Sequence, residues 1–286
     1  MDPLEYCRQK VASPGSAVYY ALRFAPETQH HALLAVHAFH AEITEIPDEV
    51  SDAAVGEVKL NWWREELQRL FDGQPRHPVS QALTPAIDTH ALPAETFREI
   101  IQGAAMDLSY NVYPSFRELA VYCHRTGGGL ASLLTGVAGT DSAQSARFAH
   151  DLGMALTLRR RLLSVRRDAR AGRVYIPEDE LESAGLQREA LLQQQTSPAL
   201  RTVFREQADR ILTFLDQADG HLADVERERL RSGIILAALD RALLREMAQD
   251  NFPLLERGFE LTPLRRLWIA WRTARRQQRL SRKAGA

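Results

Sequence analysis

Two rows of polar side chains hold most of the chemistry available to this sequence. The first is Glu42, Glu45 and Glu49, spaced three and four, with Asp48 beside them. Four carboxylates in eight residues can hold magnesium, which takes hard oxygen ligands, and they can equally form a solvated helix end. The second row is Thr157, Arg160, Arg161, Ser164 and Asp168. Such a row lines a cleft or makes helix-to-helix salt bridges, and here two arginines accompany a single carboxylate. Other reactive types are sparser. His37 and His40 are three apart, a spacing able to hold a metal, but no cysteine or third histidine completes a site. Tyr19 and Tyr20 suit either a core with a bonded hydroxyl or a pocket wall.

Helices must position these rows. Met154, Leu158, Leu162, Val165 and Ala169 recur at intervals of four, four, three and four, one apolar stripe beside the second row. Gly172 breaks that helix, and Pro177 stops the short segment after it. The first row ends a helix that opens near Pro26, and Pro47 is placed to kink or end it. Further helices are expected at 3–11, 17–24, 58–71, 94–108, 115–139, 198–218 and 225–249, with a shorter one within 77–93, bounded by prolines. Gly127, Gly128 and Gly129 interrupt the 115–139 segment and cost a helix interior roughly 3 kcal/mol relative to alanine. They call for a reason: close helix approach, a kink, or room for a ligand chain. They follow no strand, so they are not read as a nucleotide-binding loop. The last helix, 264–280, sets Leu264, Leu267, Trp268 and Trp271 on one side and arginines elsewhere.

Composition bounds the rest. With 286 residues, 45% of them hydrophobic, and helical apolar spacing nearly throughout, the chain reads as all-α and as one domain over 1–286. Net charge is −1, unevenly spread: Leu261–Ala286 holds eight Lys or Arg and no acid, leaving −9 on the first 260 residues. Cys7 and Cys123 fit no metal spacing and suggest a reducing compartment. No apolar run approaches the roughly 18 residues of a membrane span. These features predict a cytoplasmic protein, peripheral on the inner face of the membrane. The basic 264–280 helix, with its Leu/Trp side, suits anionic lipid rather than nucleic acid.

The ordered segments EYCRQKVASPGSAVYYALRF, KLNWWREELQRLFDGQPRHPV, AAMDLSY, YCHRTGGGL and DARAGRVYIPEDEL resemble the squalene/phytoene synthase family, most nearly its bacterial presqualene diphosphate and squalene synthase branch. The likeness covers roughly the first 190 residues. It implies a helical bundle of the isoprenoid synthase type around a deep apolar cavity. It also implies head-to-head condensation of two prenyl diphosphates, with Mg2+ drawing off the diphosphate. Carried onto this chain, it implies Tyr20 and Asp168 in the catalytic role and Arg160, Arg161, Tyr122 and Arg173 at the substrate. Glu45, Asp48, Glu49 and Asp168 would be the metal ligands.

The chain departs from the family pattern where that chemistry is done. The first motif usually reads like REVDDIVDE and here reads AEITEIPDE, with Ala41 for the arginine and Thr44 and Glu45 for two adjacent aspartates. In the second motif Thr157 stands for glutamine, Arg160 for asparagine and Ser164 for the first aspartate. The arginines could contact diphosphate directly, or reach across to Glu42, Glu45 or Asp48 and close the site with ion pairs. The first option implies a prenyl diphosphate-binding protein. The second implies a non-catalytic assembly or scaffold protein acting on a protein partner, like the mitochondrial complex I assembly factor of the same fold.

Overall fold

The computed structural model describes residues 1–284. Thirteen α-helices are seen among them: α1 Pro3–Val11, α2 Ala17–Arg23, α3 His30–Glu49, α4 Ala53–Phe71, α5 Pro78–His90, α6 Ala94–Ser109, α7 Phe116–Cys123, α8 Gly129–Val137, α9 Ala143–Arg170, α10 Glu178–Ser183, α11 Pro198–His221, α12 Arg231–Gln249 and α13 Pro263–Ala284. The only β pairing among the described residues is a bridge between Val112 and Val174. Local chemistry explains many of the boundaries. Asp2, Ser16, Ser115, Ser142 and Ser197 each accept a backbone N–H at a helix start, and α1, α5 and α11 open on proline.

The 28-residue α9 is the axis of the bundle, packed against α11, α8, α7 and α12. It is longer than the 154–169 stripe suggests. Its end is set by Gly172, whose φ of +78° lies in the left-handed region, so the chain folds back across the helix end. Arg173 N–H then donates to the Asp168 carbonyl (2.9 Å), and Val174 N–H to that of Asn111 (2.8 Å). α3 runs through Pro47 instead of ending there, because the proline falls in the last turn. The orphan carbonyl of Pro47 takes its hydrogen bond from Arg173 Nη1 at 2.6 Å.

The three glycines are explained by close helix approach. His124–Gly128 form a π-helical turn joining α7 to α8. A Cβ on Gly127 would sit 2.1 Å from the Gly153 carbonyl oxygen of α9, and one on Gly153 would meet Gly127 backbone at 2.3 Å. On the other flank, a Cβ at Gly103 of α6 would meet Thr126 Cγ2 at 2.6 Å, and one at Gly129 would meet Ile100 of α6 at 2.7 Å. Glycines thus bring α6, the π turn and α9 together. Gly127→Ala and Gly153→Ala are each expected to destabilise the fold by about 3 kcal/mol or more, since backbone rather than a flexible side chain must yield. Urea unfolding of the two variants measures this.

Candidate functional site

Arg161 is the centre of the polar interior. It is 3% exposed, on α9, one turn after Leu158. Its Nη2 donates to Asp107 Oδ2 of α6 and to Tyr122 Oη of α7, the latter at 2.5 Å, and its Nε donates to the same hydroxyl at 3.0 Å. Its Nη1 lies 3.5 Å from Asp168 and 3.6 Å from Asp48 of α3. The Tyr175 ring lies against the guanidinium, 3.9 Å from centroid to Cζ. Desolvation opposes the charge on Arg161, but Tyr122, Asp107, Tyr175 and Asp168 hold its pKa well above the ordinary value. Burial pushes the Asp107 carboxyl up, against the pull of Arg161 and Arg160. Burial likewise pushes the Tyr122 hydroxyl up to about 12, so the tyrosine stays neutral.

Arginines also fill the surroundings. Asp48 is paired with Arg167 (3.0 Å) and Arg173 (2.9 Å), and Asp168 accepts from Arg167 (3.1 Å) and from the Ser164 hydroxyl (2.5 Å). Arg160 donates to Thr44 Oγ1 (2.9 Å) and Tyr122 Oη (3.2 Å). Asp48, with Thr44 beside it, therefore meets the second row across α3 and α9, while the other carboxylates of the first row turn elsewhere. Glu42 and Glu45 lie 3.6 and 2.8 Å from Lys10 of α1, and Glu49 lies 3.4 Å from Lys59 of α4. Beside Arg161, between α9 and α11, is a cavity of about 20 Å³ reached by Asp168, Arg173 and Tyr175. That is room for about one water, against the several hundred Å³ of a small-molecule site. Outside it, Asp48, Glu49, Asp107 and Arg173 border a surface depression of about 470 Å³.

The description "squalene/phytoene synthase" fits residues 11–268 as a family match. The chain belongs to the squalene/phytoene synthase family. It is 26% identical over 278 residues to a 15-cis-phytoene synthase of Synechococcus elongatus, covering 93% of this chain and 90% of that one. It is 29% identical over 235 residues to a phytoene synthase of Arthrospira platensis, covering 78% and 76%. Among solved structures, a dehydrosqualene synthase in complex with ligand superposes with a TM-score of 0.84 at 17% identity, covering 97% of each chain. A squalene synthase from Alicyclobacillus acidocaldarius superposes with a TM-score of 0.76 at 23% identity, covering 88% of this chain and 95% of that one. The fold is the all-α isoprenoid synthase bundle.

The family resemblance implies magnesium at Glu45, Asp48, Glu49 and Asp168, and these residues do not fit it. Each has a lysine or arginine of this chain as partner, and Glu45 and Glu49 are drawn away to Lys10 and Lys59. Among the described residues no three His, Cys, Asp or Glu side chains are grouped to hold a metal ion. Asp48, Asp107 and Asp168 share their space with Arg160, Arg161 and Arg173, and Arg167 reaches Asp48 and Asp168 from the solvent side, so the carboxylate charge is already neutralised. A unit positive charge 4 Å from a divalent cation repels it by about 8 kcal/mol at an effective dielectric near 20.

The arrangement gathers Arg160, Arg161, Tyr122, Arg173, Asp48 and Asp168, and leaves out Tyr20. Tyr20 sits on α2 against the Tyr19 ring, 5.1 Å between centroids, and makes no hydrogen bond to the cluster among the described residues. Asp107 and Tyr175 complete the cluster, and sequence reasoning misses both as site residues. Asp107 had a signal: it continues the buried stripe Phe97, Ile100, Ile101, Ala104 of α6, where an acid demands a partner. His37 and His40 are neutral. Burial pushes His37 down to about 4, and burial, Arg160 and His37 hold His40 well below its ordinary value.

Arg161→Met strands Asp107 and is expected to cost about 3–5 kcal/mol, while Arg161→Met combined with Asp107→Leu recovers much of that loss. Urea midpoints of the single and double variants give the comparison. The histidines set a pH dependence. Below pH 6.5 the unfolded chain binds protons on His37 and His40 that the folded chain refuses, so stability falls as pH drops from 6.5 toward 4. Each imidazole adds up to about 1.4 kcal/mol per pH unit. His37→Leu should flatten the slope between pH 6.5 and 5 by up to one proton in urea titrations.

Proposed function

We propose that this chain keeps the scaffold of a prenyl diphosphate-condensing family without performing the condensation, and acts as a binding or assembly protein. One observation carries the reading. The buried Arg161 guanidinium draws in Asp107, Asp168 and Asp48, carboxylates from three helices around the family's metal-motif positions. A fixed side-chain cation there opposes a mobile divalent ion and ties α3, α6 and α9 together. Ionising an allylic diphosphate needs charge neutralised on the leaving group, and in this cluster Arg161, Arg167 and Arg173 are already engaged by carboxylates.

A second reading is favoured by Arg160. It is held by two hydroxyls and, among the described residues, by no carboxylate. Its charge remains available to a diphosphate, which would make the protein a metal-independent prenyl diphosphate binder. Calorimetry with farnesyl diphosphate and no divalent metal separates the two: heat of binding that Arg160→Asn abolishes supports the binder.

Incubation of the protein with farnesyl or geranylgeranyl diphosphate and magnesium is expected to give no condensed product and no diphosphate release. Turnover in that assay overturns the proposal. Magnesium should also leave the melting temperature of the native protein unchanged, because Asp48, Asp107 and Asp168 are already paired with arginine.

A further inference from the structure

The last helix presents an apolar face to solvent. α13 is fastened to the bundle along one side only, through Ala270, Ala274 and Gln277, all buried, with α12 and α2 beneath. Two of its arginines anchor it: Arg265 pairs with Glu246, and Arg266 reaches Glu260 at 2.8 Å and the Gly15 carbonyl at 2.6 Å. On the outer side Leu264, Leu267, Trp268 and Trp271 succeed one another at helical spacing. Their exposures are 79%, 37%, 53% and 42%. The tryptophans therefore do not pack into the bundle. Four large apolar side chains on one exposed stripe mark an interaction surface.

The same face is basic. One turn beyond the tryptophans, Arg272 lies over the Trp268 ring at 5.1 Å and Arg275 over the Trp271 ring at 4.6 Å. Arg272, Arg275, Arg276 and Arg279 have no carboxylate partner among the described residues, in contrast to the arginines of the interior. Leu261–Ala286 carries no acid, whereas the first 260 residues total −9. Charge of that sign elsewhere repels an anionic surface and turns this helix toward it.

We infer that the outer face of α13, Leu264, Leu267, Trp268 and Trp271 with Arg272, Arg275 and Arg279, is a docking surface for an anionic lipid bilayer. Each component has a place there. The leucines enter the acyl boundary, the indoles sit at headgroup depth with their N–H toward water, and the arginines meet lipid phosphates. Among the described residues no helix is long and apolar enough to cross a membrane, and the proposed contact is with the bilayer surface. The phosphate backbone of a nucleic acid would satisfy the arginines but leave Leu264 and Leu267 in water.

The test is flotation of the full chain with vesicles of phosphatidylcholine alone and of phosphatidylcholine mixed with phosphatidylglycerol. The protein should float with the mixed vesicles only, and high salt should release it as the screening length falls from about 10 Å at 0.1 M to about 3 Å at 1 M. Trp268→Ser with Trp271→Ser should abolish flotation. Arg272→Gln with Arg275→Gln should weaken it, about fivefold in partitioning for each charge removed. These side chains are exposed, so the thermal melts of both variants should match the native chain. Fluorescence quenching by brominated lipid provides a check on the folded chain itself: quenching should persist in Trp62→Phe, because the exposed indole of α4 lies outside the proposed face. Equal recovery on both vesicle types, undiminished flotation of the tryptophan variant, or loss of quenching in Trp62→Phe would each overturn the inference. So would failure to float at all, the result expected if an acidic protein covers this face.

Discussion

A guanidinium keeps its proton at any pH a protein meets, so an arginine on a buried stripe must find its counter-charges inside the fold. Arg161 is in that position, three residues after Leu158 and four before Val165. Taking charges from water costs several kcal/mol per ion, and only good geometry with further hydrogen bonds offsets it. The polar interior is the answer to that demand. Asp107 arrives at the end of α6, Tyr122 from α7, Asp168 from two turns along α9, and Tyr175 from the strand-like segment that Gly172 folds back.

Two apolar clusters meet at this network. One is built mainly from α1, α3, α4, α5, α6 and α8, the other from α2, α7, α9, α11, α12 and α13. Asp48 and Asp107 belong to helices of the first; Tyr122 and Arg161 belong to helices of the second. The glycine contacts between α6, the π turn and α9 set the spacing at which a single guanidinium fork can reach across. Packing and electrostatics are thus coupled: the glycines allow the approach, and the ion pairs fix its register.

The chain uses arginine in two opposite ways. Within the bundle Arg161 and Arg173, joined by Arg167 from the solvent side, are bound to carboxylates and consume the negative charge that a metal site needs. On α13 Arg272 and Arg275 lie over exposed tryptophan rings without carboxylate partners. The same composition gives a closed interior and an open basic surface because one set is surrounded by acids from neighbouring helices and the other faces solvent.

The sequence by itself determined most of the helices, because those rest on apolar period, capping residues and local spacing, and its ordered motifs carried the family resemblance. It also placed Arg160 and Arg161 beside the stripe, and left open whether they would meet a ligand or the opposing carboxylates. Tertiary structure decided that point. Asp107 and Arg161 are 54 residues apart in the chain, and Asp48 and Arg173 are 125 apart, so no local pattern registers their contact. Tyr20 lies in the same buried cluster as Tyr122 and Tyr175 without a hydrogen bond to the arginine network among the described residues. Pro47 reads locally as a helix end, and the helix closes two residues past it at Glu49, where the Pro47 carbonyl takes its hydrogen bond from an arginine far along the chain. Local periodicity tells which side of a helix is buried; which charges meet there depends on how closely the helices approach, and glycines on α6, the π turn and α9 set that distance.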